Sequence, residues 1–148
     1  KIIMKKFTVL ALLVCVFASC KKDDNTSNNN SSTPRSFTCT INGVVFDADS
    51  AWYNNFNAGA TNIFAVKGTG ASQQYFEINL NAQTATTYAI PANALTYLTN
   101  TTMYVGTTGS FSIGTYDMTN RKISGTFTGV TAGAVNITGG TFTNLPYK

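Results

Sequence analysis

Six carboxylates, three cysteines, a single tryptophan and no histidine bound the chemistry open to this chain of 148 residues. Without imidazole there is no Ser-His-Asp or Cys-His nucleophile and no His-ligated metal. Nor does any side chain titrate near neutrality unless it is perturbed. Carboxylates remain, and Asp47, Asp49, Glu77 and Asp117 are those that fall after residue 35. Glycoside hydrolysis needs two carboxyl groups on opposite sides of the scissile bond, one of them with a raised pKa. Asp47 and Asp49 lie two apart and would share one face of a strand, while Glu77 could meet Asp117 only through the tertiary fold. A hydrolase built on either pair is therefore the weaker alternative, since turns and strand ends account for all four acids. Asp47-Ala48-Asp49-Ser50, with Asn54-Asn55 nearby, offers oxygen ligands to calcium, yet it lacks the spacing and closing Glu of an EF-hand loop. No catalytic residue, metal site or cofactor is expected.

Trp52-Tyr53-Asn54-Asn55-Phe56-Asn57 is the more informative stretch, because it mixes aromatic rings with amides. Exposed on a loop, Trp52, Tyr53 and Phe56 would form a ligand-binding surface for a sugar or peptide, making the domain a carbohydrate-binding module. The competing and favoured expectation is that Trp52 closes one end of the core, as a single Trp in a small β-domain usually does. Cys39 reads as a small buried apolar residue, since no histidine is at hand to activate it. Gly68-Thr69-Gly70 and Gly106-Thr107-Thr108-Gly109 lack the Lys and following helix of a phosphate loop and read as turns.

The elements that must position these residues are strands. From Ser36 onward Thr and aromatic residues abound, apolar positions alternate and Gly or Asn recurs at short intervals. In Phe37-Thr38-Cys39-Thr40-Ile41-Asn42-Gly43-Val44-Val45-Phe46 the Asn-Gly pair marks a two-residue hairpin turn. It sets Ile41 opposite Val44, Cys39 opposite Phe46 and Phe37 opposite Ala48, all on one face. Two strands over 63–68 and 75–81 follow, with Phe64, Val66, Phe76, Ile78 and Leu80 inward. A short strand at 86–88 ends before Pro91, and 92–98 reads as a helical turn or loop. Met103 with Val105 and Phe111 with Ile113 suggest strands on either side of a turn at 107–110. A hairpin at 116–122 leads into Ile123, Gly125 and Phe127. In the last strand the inward parity changes between Ile137 and Phe142, which Gly139-Gly140 can absorb as a bulge. The expected fold is all-β, a single antiparallel β-sandwich or barrel of about eight or nine short strands.

The first residues are an address. A basic start (Lys1, Lys5, Lys6), an apolar run over 7–17 and small residues before Cys20 form a secretory signal over 1–19. As a helix, 7–19 would reach roughly 20 Å, short of the roughly 30 Å hydrocarbon core. Phe17-Ala18-Ser19-Cys20 resembles the bacterial lipobox, which implies that Cys20 is lipidated and becomes the first residue of the mature chain. Each buried acyl CH₂ contributes about 0.8 kcal/mol, so two or more chains anchor stably. Residues 20–35, polar and free of large apolar side chains, are expected to be a flexible tether, leaving 36–148 as the domain. Lys22, Asp23 and Asp24 look like the export signal of Bacteroidota surface lipoproteins. That resemblance implies an outer-membrane, surface-exposed protein; a periplasm-facing one is the alternative. From Cys20 the chain carries seven basic and six acidic residues, from Ser36 four of each. Such a balance gives no basic footprint for nucleic acid.

Phe37-Thr38-Cys39-Thr40-Ile41-Asn42-Gly43, Arg121-Lys122-Ile123-Ser124-Gly125-Thr126-Phe127 and Ile137-Thr138-Gly139-Gly140-Thr141-Phe142 together resemble uncharacterised Bacteroidota lipoproteins with an all-β domain. The resemblance implies fold and location and carries no functional residue. The expected function is a lipid-anchored, non-catalytic β-domain with a binding or structural role, its membrane contact made through the N-terminal lipid.

Overall fold

Alternating threonine and apolar residues from Ser36 onward build strands, since branched and aromatic side chains pack well on a pleated surface. The computed structural model describes residues 34–55, 59–131 and 133–148. Cys20, Lys22, Asp23, Asp24 and the signal and tether segments lie outside the described residues, as does Phe56. The strands are β1 (Ser36–Ile41), β2 (Val44–Asp47), β3 (Ser50–Asn54), β4 (Thr61–Lys67), β5 (Gln74–Leu80), β6 (Thr87–Ala89), β7 (Ala94–Thr99), β8 (Thr102–Asp117), β9 (Lys122–Thr131) and β10 (Asn136–Pro146). The only helical turn among the described residues is a 3-10 turn at Gly70–Ser72.

All ten strands join one antiparallel sheet in the order β2-β1-β10-β9-β8-β7-β5-β4-β3, with β6 paired to β8. The two end strands are joined in sequence by Ala48-Asp49 alone, so the ends of that order must lie near each other and the sheet curls into a half-barrel. β8 belongs to both halves. Its first residues pair with β7 and its remainder with β9, with a register shift between Gly106 and Thr108 where the strand bends. The first half comprises β3, β4, β5, β7 and the start of β8; the second comprises β2, β1, β10, β9, β6 and the rest of β8. At the seam Tyr53 bridges Tyr147, and the Lys148 backbone N–H donates to Tyr53 O at 2.9 Å.

The hairpin forms in the expected register, with Cys39 opposite Phe46, Ile41 opposite Val44, and Ala48 N–H donating to Phe37 O. Asn42 and Gly43 take φ of 48° and 84°, the positive values that a two-residue turn demands. The bulge in β10 is also present. The register shifts between Ile137 and Gly140, Gly139 has φ 59°, and Phe142 returns to the core. Gly140 must be glycine, because a Cβ there would stand 2.6 Å from the Phe127 ring.

Both halves bury one aromatic core. Phe37 meets Phe127 at 5.1 Å, Phe76 at 5.5 Å, Phe46 at 6.1 Å and Phe142 at 6.3 Å between ring centroids. Phe76 comes from the first half and the other rings from the second, so these contacts hold the halves together. At one end Thr61 and Tyr116 share a 2.7 Å hydrogen bond, and Tyr116 OH donates to Asn55 Oδ1 at 2.8 Å.

Four expectations are corrected. Phe64 and Val66 face outward while Ile63 and Ala65 are buried. Four consecutive apolar residues leave the alternation ambiguous, and pairing decides it: Ala65 sits opposite Phe76 and Ile63 opposite Ile78. Residues 94–99 are strand β7, held between β5 and β8, with Leu95 and Tyr97 inward. Likewise, 107–110 is no turn, because β8 runs through it without interruption. Ser50–Asn54, expected as a loop, is strand β3, and the described residues hold ten strands.

Candidate aromatic face

The outer face of the first half gathers the side chains that sequence parity alternates outward. Cross-strand register aligns Trp52, Phe64, Glu77, Thr96 and Val105 in one row across β3, β4, β5, β7 and β8. A parallel row holds Ser50, Val66, Tyr75, Leu98 and Met103, and a third holds Asn54, Asn62, Asn79 and Ala94. Rows of this kind bring side chains on adjacent strands within about 5 Å.

Trp52 stacks on Phe64 at 5.5 Å and 28°, and Phe64 leans on Tyr75 at 6.0 Å and 36°. These three rings form a ladder on the surface, each half-buried by its neighbours. Lys148 Nζ lies 4.6 Å from the Trp52 ring centroid. An exposed cation–π contact contributes about 0.5–1 kcal/mol, so a ligand could displace this lysine at small cost. Trp52 thus neither closes the core nor sits on a loop; it belongs to the outer side of strand β3.

Glu77 stands in the middle of the face. Among the described residues its carboxylate accepts no hydrogen bond and joins no ion pair. Burial, and then the Glu77 charge, push the Tyr75 phenol up to about 12. The amide row adds donors and acceptors, and Asn54 Oδ1 is buried with no partner among the described residues. A surface of ring, amide and carboxylate can stack against an apolar ligand face while hydrogen-bonding its rim.

Next to this face the seam leaves a cleft of about 370 Å³, lined in part by Arg35, Asp49, Ser50, Leu145, Pro146 and Lys148. Asp49 is already engaged, its Oδ2 accepting the Gly68 N–H at 2.7 Å. Lys148 belongs to both features.

Of the sequence candidates, Trp52 is on the face but Tyr53 is not. The Tyr53 side chain points the opposite way from Trp52, 1% exposed, with its ring 6.0 Å from Tyr116 and 5.5 Å from Tyr147. Burial, with the Tyr116 phenol second, pushes Tyr53 up to about 12. Phe64 and Tyr75 complete the face beside Trp52, while Phe56 lies outside the described residues. Strand parity carried the signal, since Trp52 and Tyr53 cannot share a face once 50–54 is a strand.

The acids occupy separate elements. Asp47 is exposed on the edge strand β2, and Asp117 caps the β8–β9 turn by accepting from Thr119 N–H, Asn120 N–H and Asn120 Nδ2 at 2.8–3.0 Å. Those bonds, the Asn120 backbone first, hold Asp117 below the usual carboxylate range. No cluster of three or more metal-binding acids or cysteines occurs among the described residues. The oxygen set weighed for calcium does not converge: Asp49 contacts Gly68, whereas Asn55 lies beyond the far end of β3, bonded to Tyr116. Cys39 is 3% exposed and burial pushes its thiol up to about 12, so no reactive thiolate forms near neutrality. No family model, curated protein or solved structure matches this chain.

Proposed function

We propose that this protein is a non-catalytic binding domain, held at the outer membrane by lipid on Cys20, whose ligand is a glycan lying across β3, β4 and β5. The observation that carries the reading is the Trp52–Phe64–Tyr75 ladder on a sheet face where water-facing polar residues would ordinarily stand. Large rings on an outer face gain nothing from the core, whereas a pyranose can lay its C–H face against them. The neighbouring amides of Asn54, Asn62 and Asn79 and the Glu77 carboxylate match the hydroxyls at its rim.

A glycan array probed with the purified protein tests this. Binding to at least one glycan is expected, weakened tenfold or more by W52A or F64A, as befits an aromatic anchor. An array on which the folded wild-type protein binds nothing would remove the reading. Location is tested separately by protease shaving of intact cells. Cleavage supports surface display through Lys22, Asp23 and Asp24; full protection supports a domain facing the periplasm.

A further inference from the structure

Along the central row of the face a cation and an anion bracket the rings. Lys148 lies over Trp52, then comes Phe64, and Glu77 follows on β5, two strands from β3. At about 4.8 Å per strand this sets the ends of the bracket roughly 10 Å apart, a span suited to one or two sugar rings. Lys67, at the end of β4, donates to Val45 O and does not serve this face.

Resting on the glycan reading above, we propose that Glu77 is a specificity-determining residue that selects uncharged glycans and rejects acidic ones. Its carboxylate is half-buried between Phe64, Tyr75 and Thr96, and it has no hydrogen-bond or ion-pair partner among the described residues. A sugar hydroxyl donating to it forms a charge-assisted hydrogen bond, roughly twice as strong as a neutral one. A uronate stacked on Phe64 would instead bring a second carboxylate against Glu77 beside apolar rings, where like charges repel strongly. Lys148 accommodates a hydroxyl or ring oxygen at the far end as a donor. With one charge of each sign, the bracket favours a ligand that is itself neutral. Arg35 and Asp49 in the adjoining cleft repeat the same balance.

The test is titration calorimetry of wild type, E77Q and F64A against neutral hexaoses of glucose, mannose and xylose and against hexagalacturonic acid. Wild type is expected to bind a neutral hexaose and to bind the acid at least tenfold more weakly. E77Q keeps the shape of the side chain and loses its charge. It should weaken neutral binding about fivefold to tenfold, narrow the gap to the acid, and leave the melting temperature unchanged. Hexagalacturonic acid binding as tightly as the neutral hexaoses would overturn the role of Glu77. So would an unchanged E77Q profile alongside loss of binding in F64A; either result leaves the glycan reading standing. If wild type binds none of the four probes, this inference falls; the glycan reading falls with it only where the array is blank as well.

Discussion

The two halves of the curled sheet turn the same kind of inner face to the core and differently composed outer faces to water: threonine rows with scattered valines (Val45 65%, Val130 40% exposed) on the second, a ladder of aromatic rings on the first. On the second half one row runs Asp47, Thr38, Thr141, Thr126, Ser112, Thr87 across six strands. Its hydroxyls bond each other, as Thr38 and Thr141 do at 3.0 Å, or face solvent. Threonine there satisfies strand geometry with its branched Cβ and satisfies water with its hydroxyl, so that face asks for no partner. The first half has the same backbone architecture and the same demand for β-formers, yet it carries Trp52, Phe64, Tyr75, Leu98 and Met103 outward. Met103 is 64% exposed. Folding alone does not call for that apolar surface, which is why the binding reading rests there.

The strongest challenge to this comparison is whether one core serves both halves. Phe37→Ala removes a ring packed against rings of both halves and should cost about 3–5 kcal/mol, in a single urea transition. Two separated transitions would mean that the halves fold independently. Gly140→Ala forces a methyl into the Phe127 ring and should cost about 1–3 kcal/mol, measured the same way. No loss would place the bulge elsewhere.

Smaller effects sharpen the contrast between the outer faces. Phe64→Ala removes two ring contacts and should cost about 1 kcal/mol, whereas Thr126→Ala should stay within about 0.5 kcal/mol. Equal losses would erase the distinction drawn here. The smallest effect is at Asp117, at the β8–β9 turn. Its folded pKa lies below the unfolded value near 3.9, so its contribution is present above that pH and lost as pH falls through the folded pKa. Asp117→Asn should therefore lower the plateau of the stability–pH curve above that pH and flatten its acid limb, with the slope on the alkaline side unchanged. An unaltered acid limb would show that the Asn120 and Thr119 bonds do not persist in solution.

Much of the fold was legible because its cues were local. Asn42-Gly43 dictates its own turn, Cys39 and Phe46 then follow by parity, and Gly139-Gly140 marks the bulge that the shift from Ile137 to Phe142 requires. Strand β7 was not legible, since Ala92-Asn93-Ala94 carries little strand preference and only β5 and β8 on either side extend it. The site was half legible. Trp52 drew attention by its type, but nothing local in Ile63-Phe64-Ala65-Val66 says which pair faces out.

By itself the sequence determined a histidine-free all-β chain, its hairpin and its bulge, because turn geometry and period-two alternation act between near neighbours. The tertiary structure alone decided that Phe64 joins Trp52 and Tyr75 outside while Tyr53 goes in. That choice depends on which residue lies across the sheet, and residues far apart in the chain meet only when the sheet closes.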